Sequence, residues 1–223
     1  MIKLSKRLQS VADLVDKESN VLADIGCDHA LLDIYLLQSS KIKKAYACDI
    51  TKGALNQAKI NIKKYNIKSI VTVLSDGFSN LKDEYNIDTV VISGMGSSKI
   101  LEILCNKNNL NSIKTIIIQS NNNAKKVRKH LTKIGYFIEK DDIVKDHDLL
   151  YITTKYVFNQ NKNSNFEINN IRKEVLKNPL YKEYINNIIS KNNNIIRKLP
   201  AKQMLKKLKL IFNNYKLKRM INK

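Results

Sequence analysis

The chain has no tryptophan, two prolines and three cysteines among its 223 residues. Cys27, Cys48 and Cys105 form no CxxC pair and no metal-ligand spacing. That excludes a disulfide-stapled miniature, gives no ground to expect a metal, and reads as reduced thiols in the cytoplasm. Long apolar runs are missing too. The best are a few residues, such as Thr115–Ile118, too short for a transmembrane helix, so no membrane partner is expected. The opening MIKLSKRLQS lacks the apolar core of a signal peptide. With 43% hydrophobic and 27% charged residues the chain can bury a sizeable core, which excludes a wholly disordered protein.

Acidic residues are the scarcest class for the chain's size: 20 Asp and Glu face 40 Lys and Arg, a net charge of +20. The shortage is uneven. Residues 1–158 carry 24 basic and 17 acidic side chains, whereas residues 159–223 carry 16 basic and 3 acidic. Compositional drift toward Lys, Asn and Ile raises lysine but does not explain why acids vanish from the tail. A cationic density of this kind attracts polyphosphates, because each phosphate contact releases condensed counterions, and a nucleic-acid partner is expected.

Before residue 158, β-branched runs alternate with helix-period segments. A first amphipathic helix is expected over Ser5–Asp16, with Leu8, Val11, Ala12 and Val15 at helical spacing. Strands are expected at Val21–Ile25, Ala45–Cys48, Ser69–Leu74, Thr89–Ser93 and Thr115–Ile118, each followed by a helix. The one after Asp76-Gly77 should be short. Gly135 should cap the last, basic helix, Ala124–Ile134. Five buried strands separated by helices imply βαβ crossovers and a parallel, doubly wound α/β sheet. Two longer extended runs then follow without a helix between them, Tyr136–Ile143 and Leu149–Phe158, and read as an antiparallel hairpin closing the sheet. That order fits a class I Rossmann-like methyltransferase better than a dehydrogenase, which would continue with a sixth βα unit. The polar stretch Asn159–Asn165 marks a boundary. It separates an α/β domain, 1–158, from a basic helical tail, 159–223, with helices expected over Phe166–Lys177, Leu180–Arg197 and Lys202–Met220. Pro179 and Pro200 suit helix starts.

In a doubly wound sheet, ligands bind outside the carboxyl ends of the strands. The first strand ends in Asp24-Ile25-Gly26-Cys27-Asp28-His29, where the acid can receive an ammonium and the glycine lets the backbone pass close to a ligand. The second ends in Asp49, which can accept from a ribose diol. The third ends in Asp76-Gly77, an acceptor for an adenine amino group beside a backbone donor for a ring nitrogen. The fourth ends in Ser93-Gly94-Met95-Gly96, which permits close approach to a reacting centre. Singly each is a common turn or cap. Together, in register, they match S-adenosylmethionine (SAM). Phosphate-binding motifs are missing: there is no GxxxxGK[ST], no GxGxxG after the first strand, and Asp28 would repel a pyrophosphate there.

The strings LSKRLQSVADLV, ADIGCDHALLD, SDGF, ISGMGSSKI, IIIQSN and DHDLLY together resemble the bacterial tRNA (adenine-22-N1)-methyltransferase family, TrmK, over about residues 4–158. Beyond that the likeness is one of charge and helical character. The resemblance implies a SAM-dependent Rossmann-like domain with a C-terminal helical coiled coil, a tRNA substrate and 1-methyladenosine as product. The family's SAM residues map onto Asp24, Gly26, Asp28, His29, Asp49, Asp76, Gly77 and Gly94, with Cys27, Ile50 and Met95 beside them. The chain departs from the family pattern at Ser97, Ser120 and Leu31-Leu32-Asp33.

Adenine N1 carries an in-plane lone pair, so the enzyme needs alignment more than a strong base. SGMG in place of a D/NPPY-type motif fits such a ring nitrogen. A carboxylate could stabilise the cationic product; Asp28 is the first candidate and Asp33 the second, while His29 could bond the base or SAM, or pack locally. Tyr151 or Phe78 could stack on a base flipped out of its helix, and Tyr136 and Tyr46 read as core. Lys6, Arg7, Lys125, Lys126, Arg128 and Lys129 are candidate phosphate contacts. A monomer is expected. Two other readings stay open: a SAM methyltransferase for another RNA or a small molecule, and a non-catalytic RNA-binding module.

Overall fold

The computed structural model describes residues 1–17, 19–106, 112–122, 124–159 and 177–221. The β-branched runs form β1 (Val21–Ile25), β2 (Lys44–Asp49), β3 (Ile70–Leu74), β4 (Thr89–Met95) and β5 (Thr115–Ser120), all parallel where they pair. The hairpin β6 (Tyr136–Asp146) and β7 (Leu149–Phe158) joins through β7, antiparallel to β5. The seven strands lie in the order β3-β2-β1-β4-β5-β7-β6. β1 and β4 are neighbours at the switch point, and ligands of such sheets bind outside their carboxyl ends.

Side chains alternate across a strand, so each strand feeds two cores. Leu22, Ala45, Ala47, Val91 and Ile117 face one way, packed with residues of α1 (Lys6–Leu14), α2 (Leu31–Gln38) and α3 (Lys52–Lys64). Ala23, Ile25, Tyr46, Val90, Ile92, Ile116 and Ile118 face the other, against α4 (Ser97–Cys105) and α5 (Ala124–Lys133). Fully buried side chains such as Leu22, Ile34, Ile92 and Leu131 each contribute roughly 1.5–3 kcal/mol. Tyr46 and Tyr136 belong to this core as expected, and Tyr46 stacks on Tyr85 with centroids 4.2 Å apart.

The helix starts are capped. The Ser5 and Thr51 hydroxyls accept from Leu8 N–H at 3.3 Å and Ala54 N–H at 3.2 Å, satisfying donors that α1 and α3 leave open. Gly135 follows α5 at φ +88°, a left-handed conformation that stops the helix and turns the chain into β6.

Three local expectations differ from the fold. No α-helix follows Asp76-Gly77; residues 76–80 turn, and one 3₁₀ turn follows at Asp83–Tyr85. There the Asn80 side-chain amide donates to Leu74 O and the Asn80 backbone N–H donates to the Ser75 hydroxyl, and such local side-chain bonds compete with a helix. β4 continues through Gly94 to Met95 with a register shift between Ser93 and Met95, which Gly94 absorbs at φ +78°. β6 extends to Asp146, leaving only His147 and Asp148 as the turn, with His147 left-handed at φ 51°.

The chain divides into two compact units, Met1–Asn170 and Ile171–Lys223. In the second, α6 (Pro179–Lys198) and α7 (Met204–Ile221) pack on each other. Asn178 caps α6 by accepting from Leu180 N–H at 3.0 Å. Asn214, 7% exposed, accepts from the Asn192 amide at 2.7 Å and donates to Asn193 at 2.9 Å. The expected helix over residues 166–177 lies outside the described residues apart from Lys177.

Candidate active site

The turn after β1 is shaped by backbone constraints. Gly26 N–H and Cys27 N–H both donate to Cys48 O, at 2.8 and 2.9 Å. Gly26 is left-handed at φ +79°, and a Cβ there would overlap the Met95 methyl. Asp28 and Ala30 are also left-handed, at φ 50° and 54°, a conformation few non-glycine residues adopt without surroundings that hold it. Asn61 supplies one such hold by donating to His29 O at 3.0 Å.

Asp49, at the end of β2, is fixed from both sides. One oxygen accepts from Thr51 N–H and Oγ at 2.9 and 3.0 Å, the other from Asp28 N–H at 3.3 Å. Half-buried and locked, its remaining lone pairs suit a diol. At the end of β3, Asp76 is exposed and pairs with Lys99 Nζ at 3.2 Å. Gly77 is buried at φ +59°, with Ile103 where a side chain would go.

The Gly94 loop is held by amides at the end of β5 and just beyond it. Gln119, fully buried, accepts from Gly94 N–H at 2.9 Å, and Asn121 donates to Gly94 O at 2.8 Å. Asn122 accepts from Ser97 N–H at 2.9 Å. The Arg7 guanidinium reaches in from α1 and donates to Ser93 Oγ and Gln119 Oε1, both at 3.1 Å, and lies 5.9 Å from the Tyr151 ring centre.

Beneath the loops lie two buried acids. Asp24 is 5% exposed and Asp33 has no exposed surface. Burial, then the charge of Asp33, pushes the Asp24 carboxyl well up; burial pushes Asp33 up to about 7. Burial, then the nearby acids, also raises the Cys27 and Cys48 thiols, so both stay protonated. Among the described residues no three His, Cys, Asp or Glu side chains gather as a metal would need.

Residues 4–153 match the family model described as a methyltransferase domain. The chain is 36% identical to the tRNA (adenine(22)-N(1))-methyltransferase of Bacillus subtilis over 66% of its own length and 61% of that protein's, so it spans less than two thirds of that relative. It is 34% identical to a putative tRNA methyltransferase of Mycoplasma genitalium, over 66% of this chain and 67% of the other. Its fold matches M. capricolum TrmK, solved with S-adenosyl-homocysteine, at TM-score 0.85 and 35% identity, covering 98% of each chain. The chain belongs to the TrmK family.

For a TrmK family member, the expected cofactor residues come together: Gly26, Cys27, Asp28 and His29, with Asp49, Ile50, Gly94 and Met95, edge the mouth formed by the ends of β1, β2 and β4. Asp76 and Gly77 follow the end of β3, the next strand out. Asp28 and His29 are exposed, with Asp28 Oδ1 3.4 Å from His29 Nε2. Three expectations need correction. Arg128 is not a phosphate contact: its side chain is 7% exposed and pairs with buried Asp141 at 2.6 Å. Asp33 cannot meet a substrate base, being wholly buried. Phe78 is packed in the core rather than offered as a stacking platform. Arg7 is half-buried and donates from one guanidinium nitrogen to Ser93 and Gln119 inside the site. Lys6, Lys125, Lys126 and Lys129 are exposed, and Tyr151 is half-buried. Gln119, Asn121 and Asn122 escaped the sequence reading as site residues; an amide ending the apolar run Ile116–Ile118 was the available signal.

Proposed function

We infer that the protein transfers the methyl group of SAM to N1 of adenine 22 in tRNA, giving 1-methyladenosine and S-adenosyl-homocysteine. The observation that carries this reading is the row of fixed acids and left-handed glycines at the ends of β1 to β4, in a chain of the TrmK family. The residues fit the cofactor. Asp49 has acceptors free for a ribose diol, Gly26 and Gly94 leave room for close approach, and Asp24 offers a buried acid to an ammonium. Bound there, SAM supplies an electrophilic methyl carbon.

The chain's own residues then align and stabilise. Arg7, Gln119 and Asn121 fix the Gly94 loop, so the path between cofactor and base is set before substrate arrives. The N1 lone pair needs no base to remove a proton. Exposed Asp28 is the group we assign to face the positive charge that develops on the methylated adenine, with His29 beside it. Tyr151 is our candidate for the stacking surface.

We assign methyl transfer to residues 1–158 and the grip on tRNA to the basic tail, 159–223, which carries 16 basic and 3 acidic side chains. In α7 two cations lie over exposed rings, Lys216 over Phe212 at 4.4 Å and Arg219 over Tyr215 at 6.0 Å, a pairing suited to phosphates and bases. Lys6 and Lys125 extend the footprint. No described helix is long and apolar enough to cross a membrane.

The test is methyl transfer from labelled SAM to an unmodified tRNA transcript and to one with guanine at position 22, followed by nucleoside analysis. Label as 1-methyladenosine in the first transcript alone is the expected result. Label in both keeps the methyltransferase but moves the target. No label, with cofactor bound, points to another RNA or a small molecule.

A further inference from the structure

The two acids under the cofactor mouth have a property that a single strand-end carboxylate lacks. Asp33, in the first turn of α2, has no exposed surface, and among the described residues no other residue's donor bonds either of its oxygens. The group beside it is another acceptor, the Asp24 carboxyl, itself 5% exposed. Two carboxyls bond only when one of them carries a proton. Leaving both ionised, side by side and out of water, would add like-charge repulsion to two desolvation costs.

Of the groups around the pair, one favours ionisation. Arg7 approaches from α1, with one guanidinium nitrogen bonded to Ser93 and Gln119, and its charge lowers Asp24 by less than burial, Asp33 and Asp49 each raise it. Asp49 from β2 adds negative charge. Cys27 in the following turn and Cys48 of β2 are held neutral. Asp28 and His29 lie at the exposed rim. Neither Asp24 nor Asp33 forms an ion pair with a described Lys, Arg or His.

We propose that Asp24 and Asp33 share one proton in the cofactor-free protein, and that the α-ammonium of SAM, received by Asp24, expels it to solvent. This rests on the SAM reading of the site. Before binding, the pair has one proton and one negative charge. After binding it has two negative charges facing the ammonium, and one proton has left. Asp33 is then a positioning residue: it touches neither the methyl group nor the base, but makes cofactor capture proton-linked. Affinity rises about tenfold per pH unit below the ionisation of the shared proton and levels off above it.

The test is calorimetric titration of the full chain with S-adenosyl-homocysteine, which carries the same ammonium. It is run at neutral pH in two buffers of different ionisation enthalpy, then across pH. The wild type should release up to one proton per ligand. Asp33→Asn, whose amide can donate to an ionised Asp24, should release none and bind with a flat pH profile. Asp33→Leu, which removes the second acid without an amide, guards against a folding defect in the first variant. Equal proton release by the wild type and both variants, or none by the wild type, overturns the proposal. The infrared absorption of a protonated carboxyl, read without ligand, judges the pair alone. It should be present in the wild type near neutral pH and lost in Asp33→Asn; its absence from the wild type refutes the shared proton. Failure of the ligand to bind while that band is present refutes the cofactor reading, and with it the proton release.

Discussion

Replacing Arg128 with methionine removes one half of an ion pair that has almost no contact with water. The side chains of Arg128 and Asp141 are 7% and 0% exposed, and Thr154 completes the group by donating to Asp141 at 2.6 Å. At the pair's 2.6 Å separation and an effective dielectric near 20, attraction is roughly 6 kcal/mol. Most of that is offset by taking two charges out of water. Without its partner, Asp141 keeps the desolvation cost and loses the attraction, so Arg128→Met should destabilise the protein by about 3–5 kcal/mol in urea unfolding. Adding Asp141→Leu should recover most of the loss, because neither charge then remains buried. Equal stabilities for the single and double variants would refute the argument. So would a single variant of unchanged stability that binds tRNA more weakly, because Arg128 would then be an RNA contact after all.

Glycine substitutions should divide by backbone conformation. Gly53→Ala places its methyl in open space in the first turn of α3 and should stabilise by about 0.5–1 kcal/mol. Gly135→Ala must hold φ +88° and press on the Phe158 ring, losing about 1–2 kcal/mol, mostly from the backbone because that ring is exposed and can turn away. Urea midpoints measure both, and a destabilised Gly53→Ala would contradict this assignment. The acid pair predicts a pH dependence as well. Asp33 is held up at about 7 in the fold against about 3.9 when unfolded, so its proton stays on in the folded state after the unfolded chain has lost it. This group's contribution to cofactor-free stability should be complete below about pH 4 and fall by roughly 4 kcal/mol as pH rises to about 7. Asp33→Asn should flatten the profile, and an equally steep profile in that variant would exclude Asp33 as the cause.

The parallel sheet and its ligand edge were legible because their signals are local. Runs such as Val90–Ile92 and Ile116–Ile118 have a strand's length and branching, and Gly26, Gly77 and Gly94 mark the turns where β1, β3 and β4 deliver their ends. What stayed hidden depends on a distant partner. Arg128 looks like one more cation in KKVRKH, and only Asp141 on the neighbouring β6 reveals that it points inward. Asp33 follows two leucines on a short helix, and its lack of water comes from the sheet beneath it. After β3 the expected short helix gives way to a turn, because the Ser75, Ser79 and Asn80 side chains bond to the backbone first.

The attachment of α1 has a consequence for how the protein is made. Arg7 N–H bonds Asp146, 139 residues away, Ser10 bonds Thr153, 143 residues away, and Asp16 pairs with Lys155. The apolar face of α1 meets α2 and the first strands through Val11, Ala12 and Leu14, but its polar anchors wait for the hairpin that ends the sheet. A nascent chain stopped before β7 would contain every strand-end acid and glycine, and the Gln119 and Asn121 bonds to Gly94, yet lack the Thr153 and Lys155 partners that tie down the helix carrying Arg7. The closing strand thus completes the clasp on a ligand edge that is already in place.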